Sequence, residues 1–270
     1  MSRAGAPVGG LLVLIDPVAR RLDGESVRIA RDVLSAGAAA KICLPNSPEE
    51  FARALARRGH RRPVVVGDDR ALVRAVGLLH RERALSGLAV SLVPVGPVAS
   101  LGLARSLGVP LSAVLAARAV LDGATGLRDL LVDEDDGVVL GSLCVLPLRA
   151  VPRPAGPSVW SAYRSLVRTI VRPPVSGGAV RRLRVEADGV VIADADRPVE
   201  SVSVTAREGD GLAEVEVRAG GGGRPLRVRA KTVTVSGGEF RYRADATTTG
   251  PVDCRTWTVH PTAWTLTLPR

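Results

Sequence analysis

Three short turns carry the side chains best placed for chemistry in this chain. Asp16-Pro17-Val18-Ala19 follows the apolar run Leu11–Ile15, Gly67-Asp68-Asp69-Arg70 follows Val64-Val65-Val66, and Gly96-Pro97 follows Val93-Pro94-Val95. Each run reads as a buried strand. Ligands of parallel sheets bind beyond the carboxyl ends of the strands, so the turns after Ile15, Val66 and Val95 are where chemistry is expected. The other reactive residues are scattered. Cys43, Cys144 and Cys254 lie far apart without paired spacing, and His60, His80 and His260 are equally isolated. That pattern argues against a disulfide framework and a zinc site, and no metal ligands are assigned.

The elements that position these turns alternate in period. Strands are expected at residues 11–15, 39–44, 63–66 and 88–95, and helices at 23–36, from 48 to about 59, and at 72–79, 101–107 and 111–121. Ser47-Pro48-Glu49-Glu50 is a strong helix start, with a capping hydroxyl, Pro in the first turn and acids near the positive end of the dipole. Strands that alternate with helices and read as continuous apolar runs imply a parallel sheet covered on both faces.

Beyond a Pro-rich linker (Pro147, Pro152, Pro154, Pro157) the pattern changes. A helix is expected over 158–171, with Trp160, Tyr163, Leu166, Val167, Ile170 and Val171 on an apolar face and Arg164, Arg168 and Arg172 on another. Such a helix fits packing on a domain better than lying on an anionic membrane. Short strands and tight turns follow: Asp188-Gly189, Gly209-Asp210-Gly211, Gly220 to Gly223, and Gly237-Gly238 before a last strand over 257–268. This spacing suggests an antiparallel sandwich or barrel. The fold class read here is α/β, an N-terminal parallel domain over 1–145 followed by an antiparallel β-sandwich-like domain over 146–270.

With 46% apolar residues the chain can bury a core, and its 270 residues suggest one large or two ordinary domains. The early apolar run is too short for a signal-peptide core or a membrane span, so the protein is expected in the cytoplasm. A formal charge of +10 invites a nucleic-acid or membrane reading, but only Lys41 and Lys231 are lysines and the aromatic share is 3%. The excess is Arg spread through an Ala-, Val- and Leu-rich chain, and too few aromatics exist for a base-stacking platform.

In order along the chain, these turns resemble the motifs of the diacylglycerol-kinase-type lipid kinases, a family that includes sphingosine kinases and bacterial lipid kinases. Gly67-Asp68-Asp69-Arg70-Ala71-Leu72 stands in place of the family's Gly-Gly-Asp-Gly-Thr-Leu, and Asp16-Pro17-Val18-Ala19 in place of its Asn-Pro-x-Ser-Gly. Pro94-Val95-Gly96 matches its Pro-x-Gly, and Leu103-Ala104-Arg105-Ser106-Leu107-Gly108-Val109-Pro110 its Phe-Ala-Arg-x-Leu-Gly-x-Pro. In the second half Ala162-Tyr163 stands for its Ala-Tyr helix, Asp245-Ala246-Thr247 for its Asp-Gly-Glu, and the ending from Val259 to Pro269 for its closing strand.

The resemblance implies transfer of the ATP γ-phosphate, with Mg²⁺, to a lipid hydroxyl. It places the catalytic residue Asp69 near the phosphates, where it could serve to take the hydroxyl proton, and Asp16, Gly67, Asp68, Arg70 and Gly96 around the nucleotide. It also implies a lipid or anionic membrane surface as partner, with the protein peripheral to the inner membrane surface. The departures point the other way. Asp68 replaces a glycine that lets backbone N–H groups reach phosphate, and like charges about 4 Å apart repel by roughly 4 kcal/mol at an effective dielectric of ~20. Arg70 replaces a second glycine, Pro97 a threonine, and Thr247 the glutamate placed to take the hydroxyl proton. Weak or absent kinase activity is therefore expected, with a non-catalytic binding or regulatory role as the alternative.

Overall fold

The computed structural model describes residues 10–146, 182–206, 209–220 and 223–270. The expected linker and the helix at 158–171 lie outside them. The parallel sheet is built from β1 (Leu11–Ile15), β2 (Ala40–Cys43), β3 (Arg62–Gly67) and β4 (Ala89–Pro94), in the order β2-β1-β3-β4. β1, β3 and β4 are buried on both faces because their side chains alternate between two cores, while the edge strand β2 is partly exposed. Leu11, Val13 and Ile15 pack with Val64 and Val66 against helix α2 (Gly24–Gly37) and helix α6 (Ala113–Asp122). Leu12, Leu14 and Val65 point the other way, toward α3 (Pro48–Ala56) and α4 (Asp69–Arg81). Each such side chain contributes about 1.5–3 kcal/mol on burial.

Local sequence sets the helix ends. Ser47 Oγ accepts the Glu50 N–H (3.2 Å), the expected cap of α3. On α4, Ala71, Leu72, Ala75, Val76 and Leu79 are fully buried, a stripe at helical spacing that fixes which way its first turn faces. A six-residue helix not anticipated from the sequence, α1 (Pro17–Leu22), starts directly at Asp16. It is too short for a periodic pattern to announce it.

The short helix α5 (Gly102–Ser106) precedes α6, and then the chain turns to β structure. A strand β5 (Ala124–Asp133), a two-residue β6 (Val138–Val139) and β7 (Ser142–Leu146) come first, at positions where no strand was expected. After them come β8 (Leu183–Ala187), β9 (Val190–Ala193), β10 (Val199–Ala206), β11 (Ala213–Ala219) and β12 (Leu226–Ala230). The chain ends in two long strands, β13 (Thr232–Ala244) and β14 (Thr247–Leu268). The ladder runs β12-β11-β10-β7-β13-β14, every neighbour antiparallel. Gly237-Gly238, expected as a turn, lies inside β13, where the register with β14 shifts between Ser236 and Phe240. A glycine pair in a strand marks a bulge as readily as a turn.

β14 belongs to both layers. Its first part pairs with β13 and its second with β5, and Thr265 and Leu266 pair in parallel with Ala89 and Val90 of β4. Trp257 is buried in the core of the antiparallel ladder and Trp264 in the core beneath α4, seven residues along the same strand. Between them the register against β5 shifts between His260 and Trp264. Among the described residues no helix is long and apolar enough to cross a membrane.

Candidate functional site

The carboxyl ends of β1, β3 and β4 converge. A β-carbon added at Gly67 would stand 3.0 Å from Asp16 Cβ and 2.9 Å from Ala71 Cβ, and one at Gly96 would lie 3.5 Å from Asp68 Cβ. Gly96 also has φ of +150°, where a side chain is strained. Gly67 is thus required by the close approach of the turns after β1 and β3, and Gly96 by its backbone conformation. Above them opens a cleft of about 940 Å³, walled on one side by α1, α4 and α5 and on the other by β5, β7, β10 and the β13–β14 turn. Of the six residues singled out in the sequence, Asp68, Asp69 and Arg70 line it, while Asp16, Gly67 and Gly96 form the layer beneath.

The acids on the floor are engaged with the backbone. Asp16 is buried; its Oδ1 accepts the Val18 N–H (2.8 Å) and its Oδ2 pairs with Arg74 Nη1 (3.0 Å). Asp68 precedes the first residue of α4 and accepts the Ala71 N–H (3.2 Å). Asp69 is 4% exposed, with Oδ2 accepting from Leu103 N–H (2.8 Å) and Oδ1 from Ala104 N–H (2.9 Å). It therefore ties α4 to the start of α5. Burial, more than these hydrogen bonds or the neighbouring Asp68, decides its pKa and pushes it up.

Asp245 mirrors this from the β layer. It adopts φ of +47° in the tight turn between β13 and β14. Its Oδ2 accepts from the Leu140 N–H (2.7 Å), and its Oδ1 from Gly141 (2.9 Å) and Ser142 (3.0 Å). Burial raises its pKa above the usual carboxylate value against those three bonds, and the charge of Asp69 across the cleft adds to the rise. Next to it Arg70 Nε donates to the Ala246 carbonyl (3.4 Å), a link between the two walls.

Sequence reading missed Arg128 and Asp129, which enter the cleft from β5. Asp129 accepts from Thr262 N–H (2.8 Å) and Gly211 N–H (3.2 Å), holding two loops of the β layer. Arg128 is 8% exposed, and burial lowers its pKa. The signal was a charged pair set inside the apolar run Leu127 to Val132. Arg243 also lines the cleft, opposite Thr248 in the β13–β14 ladder. Among the described residues no three His, Cys, Asp or Glu side chains group so as to hold a metal ion.

No protein-family model and no curated protein matches this chain in sequence. Solved structures do match in fold. Three structures from Bacillus anthracis str. Sterne, named as diacylglycerol kinases, two of them provisionally, superpose with TM-scores of 0.75, 0.73 and 0.74. Their identities to this chain are 15%, 13% and 14%. The matches cover 98–99% of this chain and 98% of each of those. Likeness over the whole length at such low identity is likeness of fold: the chain has the fold of the diacylglycerol-kinase-type proteins, a parallel α/β layer joined to an antiparallel β layer with a cleft between them.

Proposed function

We propose that this protein is a diverged relative of the ATP-dependent lipid kinases that keeps the cleft as a binding site and transfers phosphate weakly or not at all. One observation carries the reading: the groups a phosphate and an acceptor hydroxyl would need are already bonded to each other. The Ala71 N–H, at the start of α4 where a nucleotide phosphate would sit, is taken by Asp68. The two oxygens of Asp69, the one acid at the signature's catalytic position, are taken by Leu103 and Ala104. Phosphoryl transfer depends on positioned donors at the phosphates and on a group that accepts the hydroxyl proton. Freeing Asp69 would leave buried N–H groups unpaired, at about 1–3 kcal/mol each. Thr247, at the position of the family's glutamate, is exposed and takes up no proton near neutral pH.

ATP with Mg²⁺ fits these turns poorly on the same ground, so no catalytic step is routed through it. The remaining role is binding at the cleft by a cytoplasmic protein that can rest on the inner face of a membrane. The test is transfer of labelled γ-phosphate from Mg·ATP to diacylglycerol in mixed micelles, beside calorimetric titration of Mg·ATP. The expected result is no transfer above background and no saturable heat at millimolar nucleotide. Turnover at about 1 s⁻¹ or faster, the ordinary range for kinases, would overturn the proposal.

A further inference from the structure

Two of the three histidines in the chain meet at the seam between the layers, away from the cleft. His80 stands one residue before the end of α4, and His260 lies on β14 where its register against β5 shifts. Their rings meet edge-on, with centroids 6.2 Å apart and planes at 85°. Both line a cavity of about 510 Å³ that shares no residue with the cleft.

The charges around the pair do little to hold protons on it. Arg81 and Arg83, from the end of α4 and the turn after it, line the same cavity. Lys231, between β12 and β13, adds its charge at His260. Asp133 and Glu134 face the cavity from the end of β5, and Asp136 from the turn into β6. The first two are occupied. Asp133 Oδ1 accepts the Asp135 and Gly137 N–H groups (3.0 and 2.7 Å), and Glu134 Oε2 accepts the Thr256 N–H (2.8 Å). Arg255 Nη1 lies 3.9 Å from Asp133 and 3.7 Å from Glu134. Asp136 Oδ1 is 3.7 Å from His80 Nε2, but its side chain is 70% exposed, so solvent screens the pairing. Burial, then the charges of His80 and Lys231, keep the His260 pKa below the ordinary 6.5.

A short segment of β14 joins this cavity to the cleft. His260 pairs with Leu130 of β5. Two residues on, Thr262 takes φ of +49°, a left-handed conformation that strains a β-branched residue. Its N–H donates to Asp129 Oδ1 in the cleft wall (2.8 Å), and Trp264 Nε1 donates to the Asp129 carbonyl (3.2 Å). A displacement of His260 therefore reaches the cleft through one bulge.

We propose that His80 and His260 form a pH-sensitive latch between the layers. Neutral rings close the seam. When both are protonated, like charges at 6.2 Å part the rings and shift the bulge that carries Thr262, and Asp129 with it. Because the folded His260 binds its proton less readily than the unfolded chain, the closed form is fully stable above about 6.5. That stability is lost as pH falls through the folded value. The latch operates whether or not the cleft transfers phosphate.

The experiment is an NMR titration of the full chain from about pH 7.5 down to about 5, the range in which histidine changes charge. It reads the ring C–H signals of both histidines and the amides of Thr262 and Gly211, which donate to Asp129. Both amides are expected to shift in one step that shares its midpoint with the His260 ring. His80→Gln and His260→Gln should each abolish the step, and His260 is exposed, so its replacement leaves the core intact. Asp136→Asn should move the midpoint to lower pH, because it removes the carboxylate nearest His80. His60→Gln, an exposed histidine outside the cavity, should change nothing. Amides that stay still while the rings titrate, or a step at the same midpoint that survives His260→Gln, would overturn the latch.

Discussion

The floor of the cleft and the exposed face of β13 behave in opposite ways. On the floor, Asp16, Asp68 and Asp69 face helix starts, and their oxygens cap backbone N–H groups at 2.8–3.2 Å. On β13, Arg243 stands exposed beside Thr248 in an ordinary antiparallel ladder, with no hydrogen bond or ion pair among the described residues. Where the sheet is parallel, each strand runs into a helix whose first amides need acceptors, and an acidic residue there turns to structure. An antiparallel ladder satisfies its own backbone, so an outward side chain such as Arg243 is not drawn into capping. At the parallel strand ends Asp16, Asp68 and Asp69 maintain the fold, whereas Arg243 lines the cleft without a hydrogen bond or ion pair among the described residues.

The largest effect that separates the two regions is expected on the floor. Asp69→Ala should destabilise the protein by about 3 kcal/mol, because it leaves the buried Leu103 and Ala104 N–H groups without acceptors. Urea denaturation measures it. A change below about 0.5 kcal/mol, typical of a surface site, would mean that Asp69 is a free functional group.

A smaller effect should appear with pH. Burial raises the folded-state pKa of Asp69 and Asp245 above the ordinary 3.8, so the native state keeps protons that the unfolded chain has released. Stability contributed by the protonated forms is complete below that value and is lost as pH rises through the folded pKa. Asp245→Asn removes one of the two titrations and should flatten the fall in stability over that window in a series of urea melts. An unaltered slope would put Asp245 with the freely ionising groups. The smallest effect belongs to β13: Arg243→Gln should leave stability within about 0.5 kcal/mol in the same urea melts.

Much of this was legible from residue order. Buried runs such as Leu11–Ile15 and the cap at Ser47 gave strands and helices close to those found, and the ordered motifs pointed to the fold that the Bacillus anthracis structures share. The misses have physical causes. β5 carries Arg128 and Asp129 within an apolar run, and apart from the two-residue β6 its pairing partner, β14, lies more than a hundred residues away, so little local pattern reveals it. Gly237-Gly238 reads as a turn until the partner strand shows a bulge. The three turns and their acids could be named from sequence, but the bonds that Asp69 makes to α5 span 34 and 35 residues and depend on how two helices pack. Whether an acid caps a helix or faces a substrate is decided by that distance, and sequence does not carry it.

The measurement that bears most directly on the account is an amide NMR titration with Mg·ATP, following the N–H signals of Ala71, Leu103, Ala104 and Leu140. These amides are bonded to Asp68, Asp69 and Asp245. The account predicts that they do not move at millimolar nucleotide. Saturable shifts at Ala71, Leu103 and Ala104 together would show the carboxylates displaced by phosphate, and would contradict it.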